Sequence, residues 1–287
     1  MVVVPRTLPQ DELGQLLDRA ENSRRQYVDA FRDLTALETL TTEVLDKDAK
    51  IARRRTVVSD FYVYPLKFRP DAVREYRIAR QVDGKARGNP MDEALKLFRA
   101  LAKATTFEQE DEAILEQNFR HVVRFIIVGL AVSPLTPLHA AQRQNFTFAI
   151  GGGELIDGSP VNMLTYESST FRPTPSRVLY NGFKNPRRGW RGRAWLDASD
   201  WHIRRWVDDE VVVDDDIRTP AVLMHREIDY ESSALGVVPK RIAVATFTKS
   251  GNKKTPQLLV PVIRQTFTYE AFKRLNVSTA TEMGKFE

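Results

Sequence analysis

The sequence predicts an α+β protein in which an antiparallel sheet carries helices on one face. Three observations predict it. An amphipathic run opens the chain, segments of period two fill its second half, and the connections between those segments are short, where parallel crossovers need a dozen residues or more. Hydrophobic residues make up 42% and charged residues 28% of 287, which is the balance of a globular chain with a sizeable core.

Residues 9–35 read as the N-terminal helix. Leu13, Leu16, Leu17, Ala20, Tyr27, Phe31 and Leu34 recur at helical spacing, and Pro9, Asp11 and Glu12 suit a helix start. Residues 38–84 change period and read as strands. Segments 39–45 and 54–64 form a hairpin around Asp46–Lys50, and 73–82 form a third strand closed by Asp83-Gly84. Asn89 caps a second helix with Pro90 at its first position and an apolar stripe of Leu95, Phe98, Leu101 and Ala102. Thr106 caps a longer helix whose buried face is Ile114, Leu115, Phe119, Val122, Phe125 and Ile126, stopped by Pro134 and Pro137. Residues 89–142 are thus expected to form a helical plug.

Residues 145–268 read as an antiparallel meander, with strands at 145–150, 161–168, 177–180, 191–197, 201–207, 220–230, 240–249 and 258–268. Residues 269–287 read as a terminal strand or a C-terminal tail, and the whole of 1–287 as a single domain. The stretch Arg191–Trp206 centres the meander. Trp195 and Leu196 end one strand, Asp197–Asp200 supply the turn, and Trp201, Ile203, Arg205 and Val207 alternate with His202, Arg204 and Trp206 on the next.

Several chemistries lack a signature. There is no cysteine, hence no disulfide and no thiolate metal site. The histidines at 121, 139, 202 and 225 have no metal-ligand spacing, and Gly151-Gly-Gly153 lacks the lysine of a phosphate loop and reads as a turn. No Gly-x-Ser-x-Gly elbow is present. Asp208–Glu210 and Asp214–Asp216 read as acidic hairpin tips. No enzyme activity, cofactor or metal is therefore expected. The net charge of +5 is dispersed, so nucleic acid is not an expected partner. The one basic concentration, Arg187, Arg188, Arg191 and Arg193 with Trp190, reads as an exposed loop before a strand or as an anionic-surface contact. No apolar run is long enough to span a membrane, and Met1–Pro5 is too short for a signal peptide, so an exported protein would have its signal upstream of this numbering.

Three segments carry a resemblance. Gly153–Glu167, Gly192-Arg-Ala-Trp-Leu-Asp197 and Val238–Ala243 resemble strand motifs of the periplasmic lipoprotein carriers, the outer-membrane lipoprotein-sorting family of the LolA/LolB type, and of its sigma-factor-regulator relatives. Asp60–Tyr64, Arg77–Gly84 and Tyr269–Val277 resemble an uncharacterised, mainly acidobacterial group associated with the same fold. The resemblance implies a strongly curved antiparallel sheet, an unclosed half-barrel, with helices covering the concave face. The helices of 90–131 would sit in the family's lid region. It further implies a periplasmic or extracytoplasmic binding protein that holds a lipid, an acyl chain or a lipidated peptide between sheet and plug. The expected apolar lining is Phe125, Ile126, Leu130, Phe148, Trp195 and Ile203. The alternative is an interaction or sensor module with a permanently filled barrel, meeting an envelope protein partner. The sequence leaves the oligomeric state open.

Overall fold

The computed structural model describes residues 10–68, 73–119, 129–173, 185–214, 217–250 and 258–275. Helix α1 (Gln10–Phe31) is followed by strands β1 (Leu34–Leu45), β2 (Ile51–Pro65), β3 (Val73–Val82) and β4 (Lys85–Ala86). Helices α2 (Pro90–Lys103) and α3 (Phe107–Phe119) come next, then two 3-10 segments, Ser133–Leu138 and Ala140–Asn145. The meander is β5 (Phe146–Ile150), β6 (Glu154–Ile156), β7 (Ser159–Ser168), β8 (Arg172–Pro173), β9 (Arg187–Asp197), β10 (Ile203–Asp214), β11 (Ile217–Ser233), β12 (Gly236–Ser250) and β13 (Leu258–Arg274).

The thirteen strands among the described residues belong to one antiparallel sheet of order β4-β3-β2-β1-β13-β12-β11-β10-β9-β7-β5, with β6 on β7 and β8 on β9. The last strand sits mid-sheet, between β1 and β12. Residues 269–274, from the segment read as a terminal strand or tail, extend β13 and pair with β1 as far as Leu34↔Arg274. The expected strand 177–180 lies outside the described residues.

The sheet is strongly curved and unclosed. Eleven strands laid flat would span about 48 Å, far more than one helix about 10 Å wide can cover. Yet α1 touches strands well apart in the sheet, with Tyr27 edge-on to Tyr230 of β11 at 5.4 Å and Phe31 6.1 Å from Phe61 of β2. One core cluster joins α1 to Leu40, Phe61, Tyr166, Trp206, Ile242 and Phe267. This inner, concave face is covered by α1 and by the segment carrying Leu130, Ala131, Leu135 and Leu138. Gly236 seats the helix end: its φ is +106°, and a Cβ there would lie 2.9 Å from Ala30.

The expected plug of 89–142 divides between the two faces. Its last part packs on the inner face, but α2 and α3 pack on the outer one. Strand alternation sends Tyr76 and Ile78 of β3 outward, where they meet Leu66, Ala94, Leu97, Leu101 and Ile114. Asn89 does cap α2, its side chain accepting from the Met91 N–H. The buried stripe of α2 is Ala94, Leu97 and Leu101, turned by about one residue from the expected one, because the helix packs against both β3 and α3. Phe98 stays edge-on to Tyr76, and Ala102 is exposed.

Candidate functional site

A cleft of about 360 Å³ opens at the seam between the N-terminal half of α1 and the β5–β7–β9 end of the sheet. Leu16 supplies its helix wall, and Ile150, Leu164, Leu196 and Trp201 its sheet wall. Gly151-Gly-Gly153 makes its rim. These glycines break the edge strand into β5 and β6, and the Gly151 N–H still donates to the Met163 carbonyl at 2.7 Å. A side chain at Gly151 would meet Met163 Cε at 2.1 Å. Trp201 is held with φ +65°, a left-handed conformation costly for a bulky residue. The turn before it fixes that conformation: Asp197 Oδ1 accepts from the Ser199 amide and hydroxyl, and the Trp201 N–H donates to the Asp197 carbonyl. The Arg19 guanidinium lies over the indole at 5.8 Å.

Beyond the cleft the inner face is packed. Leu130 and Ile203, expected to line an open cavity, are 0% and 1% exposed within the core. Phe148 is half-buried on the edge strand against Phe146 and Tyr166. Trp195 is not on this face. It points outward into a small cluster with Val161 and Met163, and its Nε1 donates to Glu154 at 2.8 Å. Phe125 and Ile126 lie outside the described residues. The alternation expected for 201–207 is also interrupted: a bulge between Ile203 and Arg205 turns Ile203 and Trp206 together onto the inner face.

Two buried ion-pair groups cross this apolar face. Arg77 Nε donates to Glu38 at 2.7 Å, and Arg77 Nη2 to Glu75 at 3.3 Å. Glu75 also accepts the Leu130 and Ala131 N–H groups at 3.1 and 2.8 Å, tying the turn after Gly129 to β3. Burial raises the Glu75 carboxyl pKa and outweighs the lowering by Arg77 and the Ala131 N–H. Nearer β7, Arg226 holds Asp208 through Nε at 2.9 Å and through Nη2, and the Tyr166 hydroxyl donates to Asp208. Asp208–Glu210 are therefore mid-strand residues of β10, not a hairpin tip. Both groups escaped sequence reasoning. The available signal was a charge at an inward parity, as at Glu38 between Ala36 and Leu40.

The four expected arginines divide between the faces of β9. Arg187, Arg191 and Arg193 share the outer parity, whereas Arg188 takes the other and reaches Glu210 at 3.7 Å. Arg191 pairs with Asp209, and Arg193 lies over Trp195. Asp209 also binds His225 Nδ1 at 2.7 Å, and His225 Nε2 meets Glu227 at 3.2 Å. These hydrogen bonds, the Asp209 one above all, raise the His225 pKa to about 9.

No described helix is long and apolar enough to cross a membrane. No family model matches the chain, and no curated protein matches it. Among solved structures it is similar to an outer membrane lipoprotein-sorting protein domain from Vibrio parahaemolyticus, with 10% identity, a TM-score of 0.38, and coverage of 92% of this chain and 99% of that one. It is also similar to a DUF1329 family protein from Desulfovibrio piger, with 10% identity, a TM-score of 0.32, and coverage of 92% and 97%. MucB follows, with 8% identity, a TM-score of 0.25, and coverage of 94% and 96%. With TM-scores below 0.5, none of these likenesses bears on what the chain binds.

Proposed function

We propose that this chain is a non-enzymatic binding protein that takes an acyl chain, from a lipid or a lipidated peptide, into the seam between α1 and the sheet. The observation that carries the reading is the cleft whose apolar wall is Leu16, Ile150, Leu164, Leu196 and Trp201, with Glu12 and Asn162 as its polar side chains. Its size falls within the range of small-molecule sites, and the motif resemblance to lipoprotein carriers points the same way. Complete burial of Leu130, Trp206 and Ile228 confines the guest to the seam. From the same resemblance we place the protein outside the cytoplasm, which fractionation of cells expressing it tests.

The purified protein should release lipid on solvent extraction, seen by mass spectrometry, and should take up a fluorescent fatty acid. Leu16→Trp, which fills the cleft from a half-buried helix position, should abolish uptake while leaving the circular dichroism spectrum unchanged. An empty extract together with no uptake by the parent protein rejects the reading. The packed interior then favours the second reading, a filled barrel acting as an interaction or sensor module with a protein partner.

A further inference from the structure

A second cleft, of about 620 Å³, lies on the outer face and owes nothing to the seam. Thr147, Ala149 and Thr165 form its floor, and Glu167, Arg191 and Arg193 stand around it. The pairing fixes their places: Glu167 stands directly opposite Arg191, and Thr165 opposite Arg193. Large residues on neighbouring positions of a pleated face, with small ones between, leave a depression.

The groups in it are unevenly satisfied. Arg191 Nε is committed to Asp209 at 3.2 Å, and Asp209 is held in turn by His225. Arg193 makes no ion pair among the described residues; its guanidinium rests on the Trp195 ring at 5.3 Å, which holds the fork in place while leaving its N–H groups to solvent. Glu167 likewise makes no ion pair among the described residues, although it faces Arg191, because Asp209 takes that guanidinium. The Thr147 and Thr165 hydroxyls donate to strand carbonyls and keep their oxygens as acceptors. The depression thus offers two forked cations side by side, suited to a tetrahedral oxyanion, with an unneutralised carboxylate one strand away.

We propose that this cleft binds a zwitterionic phosphate ester, its phosphate on Arg193 and Arg191 and its ammonium group on Glu167. The carboxylate makes the distinction from a general anion site, since it repels bare phosphate and attracts the amine.

Titration of the full chain by 15N-resolved NMR with phosphoethanolamine and, separately, with inorganic phosphate tests this. Phosphoethanolamine should shift the amides of Thr147, Thr165 and Arg193 and bind at least about fivefold tighter than phosphate. Arg193→Ala should weaken phosphoethanolamine about tenfold, whereas Arg187→Ala, on the same face but outside the cleft, should leave it unchanged. Glu167→Gln should tighten inorganic phosphate and erase the preference. Co-sedimentation with phosphatidylethanolamine vesicles against phosphatidylcholine vesicles separates a lipid headgroup from a free ester as the source. Three outcomes overturn the proposal: no shift at those amides, equal loss from the two arginine variants, or a preference unchanged in Glu167→Gln. Fatty-acid uptake at the seam is read separately and fails or survives independently.

Discussion

Arg77 shows how a single residue holds two parts of the chain together. It neutralises Glu38 and Glu75, both buried, and Glu75 in turn holds two N–H groups of the turn after Gly129. Arg77→Met should leave two uncompensated buried carboxylates and cost about 3–5 kcal/mol in urea unfolding. Gly192 is fixed by crowding: a Cβ there would lie 2.5 Å from the Val207 carbonyl oxygen and 2.6 Å from the Tyr166 hydroxyl. Gly192→Ala should cost about 1–3 kcal/mol, measured the same way. His225 gives a pH dependence. Its folded pKa, about 9, stands above its ordinary value of 6.5. The contribution is therefore complete below about pH 6.5 and is lost as the pH rises through 9. Urea midpoints taken from pH 6 to 10 should fall across that window, and His225→Gln should flatten the fall. The charged side chains were legible in the strand pattern as inward intruders, but their partners were not. Glu38 and Arg77 lie on strands that do not follow each other in sequence, and no local spacing announces their pairing.

Elements were most legible where local chemistry is decisive. Asn89-Pro90 starts α2, and Asp83-Gly84 closes the β3–β4 turn, because capping and positive φ depend on neighbours alone. The face an element buries was less legible. The β9–β10 bulge flips parity at the very start of β10, and α2 answers to two neighbours at once. The β1–β2 turn offers a test at this scale. Ala49 sits there with φ +59° and is exposed, while Asp46 Oδ1 already accepts from the Asp48 and Lys50 N–H groups. Ala49→Gly should keep those bonds, relieve the left-handed strain and raise stability by about 1 kcal/mol in thermal or urea unfolding.

At the scale of the molecule, the meander order of β9 to β13 follows the sequence, as alternation and short turns predict. The joining of β13 to β1 does not, since nothing local in either strand names the other. It makes the first and last described strands neighbours along ten paired positions, Leu34↔Arg274 to Val44↔Ile263. A chain ending at residue 257 should therefore lose cooperative folding and show collapsed NMR dispersion, although its helices and every other strand are present.

That placement of β13 also sets a schedule. Until the ribosome has released β13, β1 and β12 both present bare hydrogen-bonding flanks, and the two halves of the sheet have nothing between them. At translation rates of about 5–20 residues per second, the nascent polypeptide spends the whole interval between β1 and β13 unable to complete its native topology. Such a chain stays threadable until β13 arrives, and it needs shielding from its neighbours for the same interval.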